Sequence, residues 1–331
     1  MEGRIMRLHS GWLRYLLIVL LVLVSLNYVE RTNANTSFQP TSSGLLILLD
    51  ASQSMNAKIG DLRKIDLAIN QLKAIASTVD PNNTGLRLFD SSVGHCESEL
   101  KVGFTNGNSG VLIQNAMNQV RVGGLTPLAK ALESAASDLQ PFEEKTILYI
   151  GDGADRCNGK PERVLENLGN QGIKINLFMV GMQMSASTRK QLNATIEAAK
   201  NTGAEGVLFE INARHEVRQG ILDAYQRAIQ ASKSFGTIKV TVRPRNDATE
   251  FTGAVIKMND AVVGIVPSSG ELTVIMPAPQ KNIKVSVLED SARELPLCNA
   301  ANPMQRAENT IAELNVNETI ELNFRIAACV N

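Results

Sequence analysis

Three oxygen-bearing side chains follow a run of apolar residues in "LLILLDASQSM": Asp50, Ser52 and Ser54, spaced two apart. A second apolar run, "ILYIGDG", ends on Asp152, and between the two lies "GGLTPLAKAL", with Thr126 in a glycine-loosened stretch just before Pro127. Two carboxylates and three hydroxyls, with no His or Cys among them, form a set of hard oxygen donors suited to Mg²⁺, with Mn²⁺ or Ca²⁺ as alternatives, rather than to zinc. Two carboxylates against a divalent cation would leave the loaded site near neutral. Taken singly the parts are weak, since Asp, Ser and Thr also cap helices and shape turns. Their force lies in being brought together.

The elements that must do so are legible in the pattern. Leu45 to Leu49 is uninterrupted and apolar, as a strand buried on both faces should be. It leads to "DLRKIDLAINQLKAIASTV", where Leu62, Ile65, Ile69, Leu72, Ile75 and Val79 fall at helical spacing. "TGLRLFD" and "SELKVGF" then read as a hairpin-like pair with one antiparallel edge strand, and "VLIQNAMNQV" and "LAKALESAASDL" as helices flanking Gly123-Gly124. Strand and helix alternate onward through "KTILYIGDG", "PERVLENLGNQ", "IKINLFMVG", "STRKQLNATIEAAKNTG", "GVLFEI" and a long helix to Ser232. This alternation implies an α/β fold, a doubly wound, Rossmann-like and mostly parallel sheet with helices on both faces. In such sheets ligands bind beyond the carboxyl ends of the strands, which is where Asp50 and Asp152 emerge. After Phe235 the helical period vanishes, and seven short strands separated by turn residues read as an all-β sandwich.

The segments "DASQS", "GGLTPL" and "IGDG" resemble, in order, the three parts of the metal ion-dependent adhesion site of von Willebrand factor type A domains. The resemblance covers Gly44 to Ser234. It implies a central sheet of about six strands and Asp50, Ser52, Ser54, Thr126 and Asp152 as metal-site residues. It also implies a partner protein that presents an Asp or Glu carboxylate to the ion. Gly151 departs from the many relatives with Ser or Thr there, a position outside the usual direct shell. "LRLFD…GHCESEL" and "IGDGADRCNG" further resemble a bacterial branch whose cysteines flank the site. Four cysteines allow three connectivities, and their order does not choose among them. The pairing expected is Cys96 with Cys157, both following strands that end on the metal-bearing edge, and Cys298 with Cys329, each pair within one domain.

The chain has 331 residues, with 33 Lys+Arg against 33 Asp+Glu, so no long-range field points to nucleic acid or anionic lipid. Residues 1–34 look like a targeting segment: Arg4, Arg7 and Arg14 precede "LLIVLLVLVSL", and "TNA" ends at Ala34. The apolar run is short, nearer a signal-peptide core than the roughly 20 residues of a membrane span, yet an extended reading to Val29 keeps an uncleaved anchor open. Both readings export the remainder, as a secreted, periplasmic or cell-surface protein whose contact with a membrane is limited to that anchor. The even number of cysteines without a CxxC pair accords with disulfides in an oxidising compartment. The domains read as 35–43 linker, 44–234 type A domain and 236–331 sandwich. His95 beside Cys96 reads as a structural residue next to a disulfide, and His215 as a surface residue. A GxSxG elbow and a phosphate-binding loop are both absent from the sequence, and the two carboxylates are needed for coordination, so the reading is a binding protein rather than an enzyme. The alternative is a cell-envelope scaffold or assembly subunit in which the metal is structural. Oligomeric state has no signature in the sequence.

Overall fold

In the computed structural model, residues 43–89, 96–104, 107–244, 253–289 and 297–327 are described. They belong to one compact unit, Pro40–Asn331. The targeting segment, His95 and Cys329 lie outside the described residues.

The α/β part contains strands β1 (Ser43–Asp50), β2 (Lys58–Ile59), β3 (Leu62–Arg63), β4 (Thr84–Phe89), β5 (Glu99–Val102), β6 (Glu144–Gly151), β7 (Asn176–Met182) and β8 (Gly206–Ile211). Its helices are α1 (Lys64–Ala76), α2 (Ser109–Met117), α3 (Leu128–Asp138), α4 (Pro161–Asn170), α5 (Ala186–Asn201) and α6 (Glu216–Ala231). Six of the strands form one sheet in the order β5-β4-β1-β6-β7-β8. All its pairings are parallel except β4 with β5, the expected antiparallel edge.

All eight residues of β1 are buried because both sheet faces are covered. Leu45, Ile47 and Leu49 join a cluster with Ile65, Ala68, Leu72 and Ile75 of α1, whereas Leu46 and Leu48 join Leu128, Ala131, Leu132 and Ala135 of α3. Side-chain alternation therefore operates inside an uninterrupted apolar run, and each aliphatic side chain withdrawn from water contributes about 1.5–3 kcal/mol. From β1 the chain winds outward through β4 to β5, then crosses back to β6 and winds the other way. The reversal opens a crevice between the carboxyl ends of β1 and β6, and Asp50 and Asp152 stand at its two sides.

The segment expected as one helix from Asp61 to Val79 needs correction. Its start is a two-stranded ribbon, Lys58 paired with Arg63 and Ile59 with Leu62 around Gly60, and the helix begins at Lys64. Gly60 takes a φ of +68°, which favours the tight turn over continuation of a helix.

The C-terminal strands are β9 (Phe235–Pro244), β10 (Val255–Met258), β11 (Ala261–Ile265), β12 (Glu271–Pro277), β13 (Gln280–Leu288), β14 (Cys298–Asn299), β15 (Asn302–Arg306), β16 (Glu308–Leu314) and β17 (Thr319–Ala327). They build a four-stranded sheet, β11-β10-β13-β16, and a five-stranded sheet, β12-β9-β17-β14-β15. The inward residues share one core, including Ile238, Val240, Val242, Val274, Val285 and Phe324, which makes the pair a sandwich. Strands β14 and β15 were not expected, because two and five residues without a clear apolar alternation carry little periodic signal. Phe235 and Ile275 pack against the core cluster that includes α1 and α6, and Gln280 Nε2 donates to the Thr78 carbonyl at 3.1 Å just beyond the end of α1.

Candidate metal centre

Backbone hydrogen bonds bring three loops together at the crevice. Ala51 N donates to Phe89 O, Gly123 N to Ala51 O, Gln53 N to Gly124 O, and Arg156 N to Thr126 O, so the loop after β1 lies against the loop before α3 and that loop against the one after β6. Beyond β1 the chain makes a single 3₁₀ turn, Gln53–Asn56, with Met55 buried beneath it. The five side chains singled out by the sequence converge here. Ser52 Oγ lies 3.1 Å from Ser54 Oγ and accepts a hydrogen bond from Thr126 Oγ1 at 3.1 Å. Ser54 Oγ donates to Asp152 Oδ1 at 2.6 Å, and Asp50 Oδ1 accepts from Ser52 N at 2.8 Å. Asp50, Ser52, Thr126 and Asp152 are buried, and Ser54 is half-buried at the open side.

This donor set fits a hard divalent cation: every donor is an oxygen, and hydroxyls outnumber carboxylates. Among the described residues, no cluster of three or more His, Cys, Asp or Glu competes with it.

Electrostatically the site is uneven. Asp50 is fully buried, and desolvation pushes its carboxyl from an ordinary 3.8 to about 6, opposed by hydrogen bonds from Ser52 and reinforced by the charge of Asp152. Tyr149 Oη donates to Asp50 Oδ2 at 3.2 Å, with the Gly153 carbonyl 3.3 Å away as a second acceptor. Burial, and then the charge of Asp50, hold that phenol well above its usual range, so it stays a neutral donor.

Tyr149 also explains Gly151. A Cβ on residue 151 would collide with Tyr149 Oη and stand 2.6 Å from Asp50 Cβ. A hydroxyl-bearing residue at 151 is thus excluded by the tyrosine hydroxyl, which already bonds Asp50. The glycine at 151 is thus coupled to the tyrosine at 149. Gly153 is needed for a similar reason, since a Cβ there would come within 2.7 Å of Thr126 Oγ1.

Three contributors were missed by reading the sequence. Tyr149 looked like one more residue of a core strand. Asp155 looked like loop, yet its Oδ2 accepts from Ala129 N in the first turn of α3, and its Oδ1 accepts from Cys157 N and Gly159 N. It caps, from a distance, a helix whose own N-cap, Pro127, offers no side-chain bond. Lys64 is the third. Its Nζ donates to Asp152 Oδ2 at 2.7 Å, with both side chains buried, so one of the two carboxylates of the site already faces an ammonium. A lysine in a first helical turn, where acids are the rule, was the available signal.

A disulfide joins Cys96 to Cys157, with Cα atoms 5.8 Å apart, and ties the chain after β4 to the loop after β6. Cys298 is also disulfide-bonded, and Cys329, its expected partner, lies outside the described residues. His215 is exposed ahead of α6. Glu144 of the acidic run before Thr146 pairs with Lys233 beyond α6 at 2.5 Å.

The family model for the von Willebrand factor type A domain matches residues 45–154. The uncharacterised protein YwmC of Bacillus subtilis (strain 168) is 30% identical over 166 residues, which is 46% of this chain and 71% of that protein. YwmD of the same organism, also uncharacterised, is 26% identical over 175 residues, 49% of this chain and 77% of that protein. Among solved structures, proximal thread matrix protein 1 from the mussel byssus, with a zinc-occupied MIDAS motif, aligns with a TM-score of 0.42 and 20% identity. That alignment covers 55% of this chain and 44% of the mussel chain, so less than half of the mussel protein's length is spanned. From the ordered motif, the sheet that carries it and the matching relatives, the chain belongs to the von Willebrand factor type A domain family.

Proposed function

We propose that this chain is an exported binding protein that captures an acidic group of a protein partner through a divalent cation held by Asp50, Ser52, Ser54, Thr126 and Asp152. The ion expected is Mg²⁺, which prefers oxygen ligands and keeps positions for water or an incoming oxygen. When bound, it supplies a Lewis-acidic position that rewards an external carboxylate.

One observation carries this reading: Thr126, Ser52, Ser54 and Asp152 form a continuous chain of oxygen contacts at the switch point of the sheet, Asp50 joins it through the Ser52 backbone N–H, and Ser54 opens the cluster to solvent. Leu125, 41% exposed beside Thr126, gives the opening an apolar edge of the kind that partner surfaces cover. Export is supported by the Cys96–Cys157 disulfide, which belongs in an oxidising compartment, and by the basic and apolar N-terminal segment. We assign 44–234 to the type A domain and 236–331 to the sandwich, on the change from alternating strands and helices to strands alone.

Calorimetric titration of Mg²⁺ into the wild type and into Asp50→Ala tests the site. Binding by the wild type and its loss in the variant are expected. Unchanged affinity in Asp50→Ala would overturn the assignment, and a partner held with equal affinity in excess chelator would overturn metal-dependent capture.

A further inference from the structure

Lys64 sits where elementary electrostatics disfavours it. It is the first residue of α1, and a helix N-terminus already carries the positive end of the macrodipole. Its side chain is 6% exposed, whereas lysine is almost never fully buried unless paired. The acid of its own first turn, Asp66, does not serve as the partner, because Arg63 holds both carboxylate oxygens of Asp66 at 2.6 and 2.7 Å. The ammonium turns inward instead and meets Asp152 Oδ2, while Asp152 Oδ1 accepts from Ser54. One carboxylate is therefore divided between the oxygen cluster and a resident cation.

We propose that Lys64 sets the charge of the site: it weakens the hold on the divalent cation and makes the loaded site selective for an anionic rather than a neutral ligand. The inference rests on the metal-site reading above. Asp50 and Asp152 against the single ammonium leave the site with one excess negative charge; a divalent cation turns this into one excess positive charge. Without Lys64 the same loaded site would be neutral. An incoming carboxylate neutralises the site as it stands, whereas water or an amide oxygen leaves the positive charge in place. Two carboxylates and the ion alone would give that preference only through the ion itself, and Lys64 adds a net charge to it. Lys64 is thus a specificity-determining residue, and a salt bridge that merely fastened α1 to the loop after β6 would have no such effect on ligand choice.

The test uses the whole protein with Mn²⁺ as the probe ion, read by electron paramagnetic resonance, and with acetate and its neutral analogue acetamide as probe ligands, read by water-proton relaxation. Lys64→Met removes the charge at similar volume. Lys64→Gln removes it while keeping an N–H donor for Asp152, so one charge-free variant retains the hydrogen bond that folding could need. In both, Mn²⁺ binding is expected to tighten roughly tenfold or more, as removal of a nearby like charge predicts at the effective dielectric of protein sites. Acetate affinity in the Mn²⁺-saturated protein is expected to fall by roughly tenfold, with acetamide unchanged. Lys64→Arg should restore wild-type behaviour in both assays. Unchanged acetate selectivity in a folded charge-free variant, or weaker Mn²⁺ binding there, would overturn the proposal. Asp50→Ala separates the two readings: Mn²⁺ bound equally by that variant overturns the metal site itself, and loss in Asp50→Ala with no response to Lys64 overturns only the role of Lys64.

Discussion

Replacing Asp50 by Asn should stabilise the metal-free protein near neutral pH. The carboxyl is fully buried and moves from an ordinary 3.8 to about 6, and each tenfold change in proton affinity corresponds to about 1.4 kcal/mol. An acid whose folded-state value is raised contributes its full stability while protonated, below about pH 4, and loses it as pH rises through about 6. At about pH 7 the ionised carboxylate therefore costs the metal-free fold about 3 kcal/mol relative to a neutral group. Asn keeps an oxygen acceptor for Ser52 N without the charge, and its amide N–H donates to Tyr149 Oη, whose own proton turns to the Gly153 carbonyl, so the variant should lack this pH dependence. At roughly 2–4 °C per kcal/mol, the variant should melt roughly 6–12 °C above the wild type at neutral pH in chelator, and the gap should close by about pH 4. The Lys64–Asp152 pair is present in both proteins and cancels in the comparison. Circular dichroism melts across that pH range read the gap directly, and added Mg²⁺ should raise the wild type while leaving Asp50→Asn unmoved. A variant no more stable than the wild type in chelator at neutral pH, or a gap of constant size across the range, would refute the burial cost assigned to Asp50.

Two further outcomes follow from neighbouring contacts. Gly151→Ser should be destabilising by roughly 1–3 kcal/mol and should weaken Mg²⁺ binding, because its Cβ meets Tyr149 Oη and Asp50 Cβ; the double change with Tyr149→Phe should recover part of the loss by removing one clash, and denaturant melts with calorimetry check both. Joint replacement of Cys96 and Cys157 by Ala should cost on the order of 4 kcal/mol in the chain-entropy model for a separation of 61 residues, and reductant should destabilise the wild type by that much more than it destabilises the variant, which keeps the Cys298 disulfide.

The sheet was legible because its strands are long, apolar and regularly punctuated: Leu45 to Leu49 and Thr146 to Ile150 could hardly be anything else, and each ends on a carboxylate that local pattern alone exposes. The convergence of Asp50, Ser52, Ser54, Thr126 and Asp152 was legible because each stands in a short segment at the carboxyl end of a core strand or just before a helix. What sequence pattern could not supply was the network that crosses between elements. Lys64 meets Asp152 across 88 positions and Tyr149 meets Asp50 across 99, and neither separation leaves a periodic trace. The charge count made for the loaded site left out the Lys64 ammonium for that reason. The helix boundary failed differently: Leu62 fits the helical spacing that continues through Ile65, and the turn at Gly60 draws it into the ribbon instead.

Helix α1 has one end in the oxygen cluster and the other beside the sandwich. Lys64, its first residue, grips Asp152, and just past its last residue the Thr78 carbonyl receives Gln280 of β13. Thirteen residues make a rod of about 20 Å. The sandwich and the candidate site therefore touch the same rigid element at its two ends, so a shift of α1 along its axis would move the partner of Asp152 and the partner of Gln280 together.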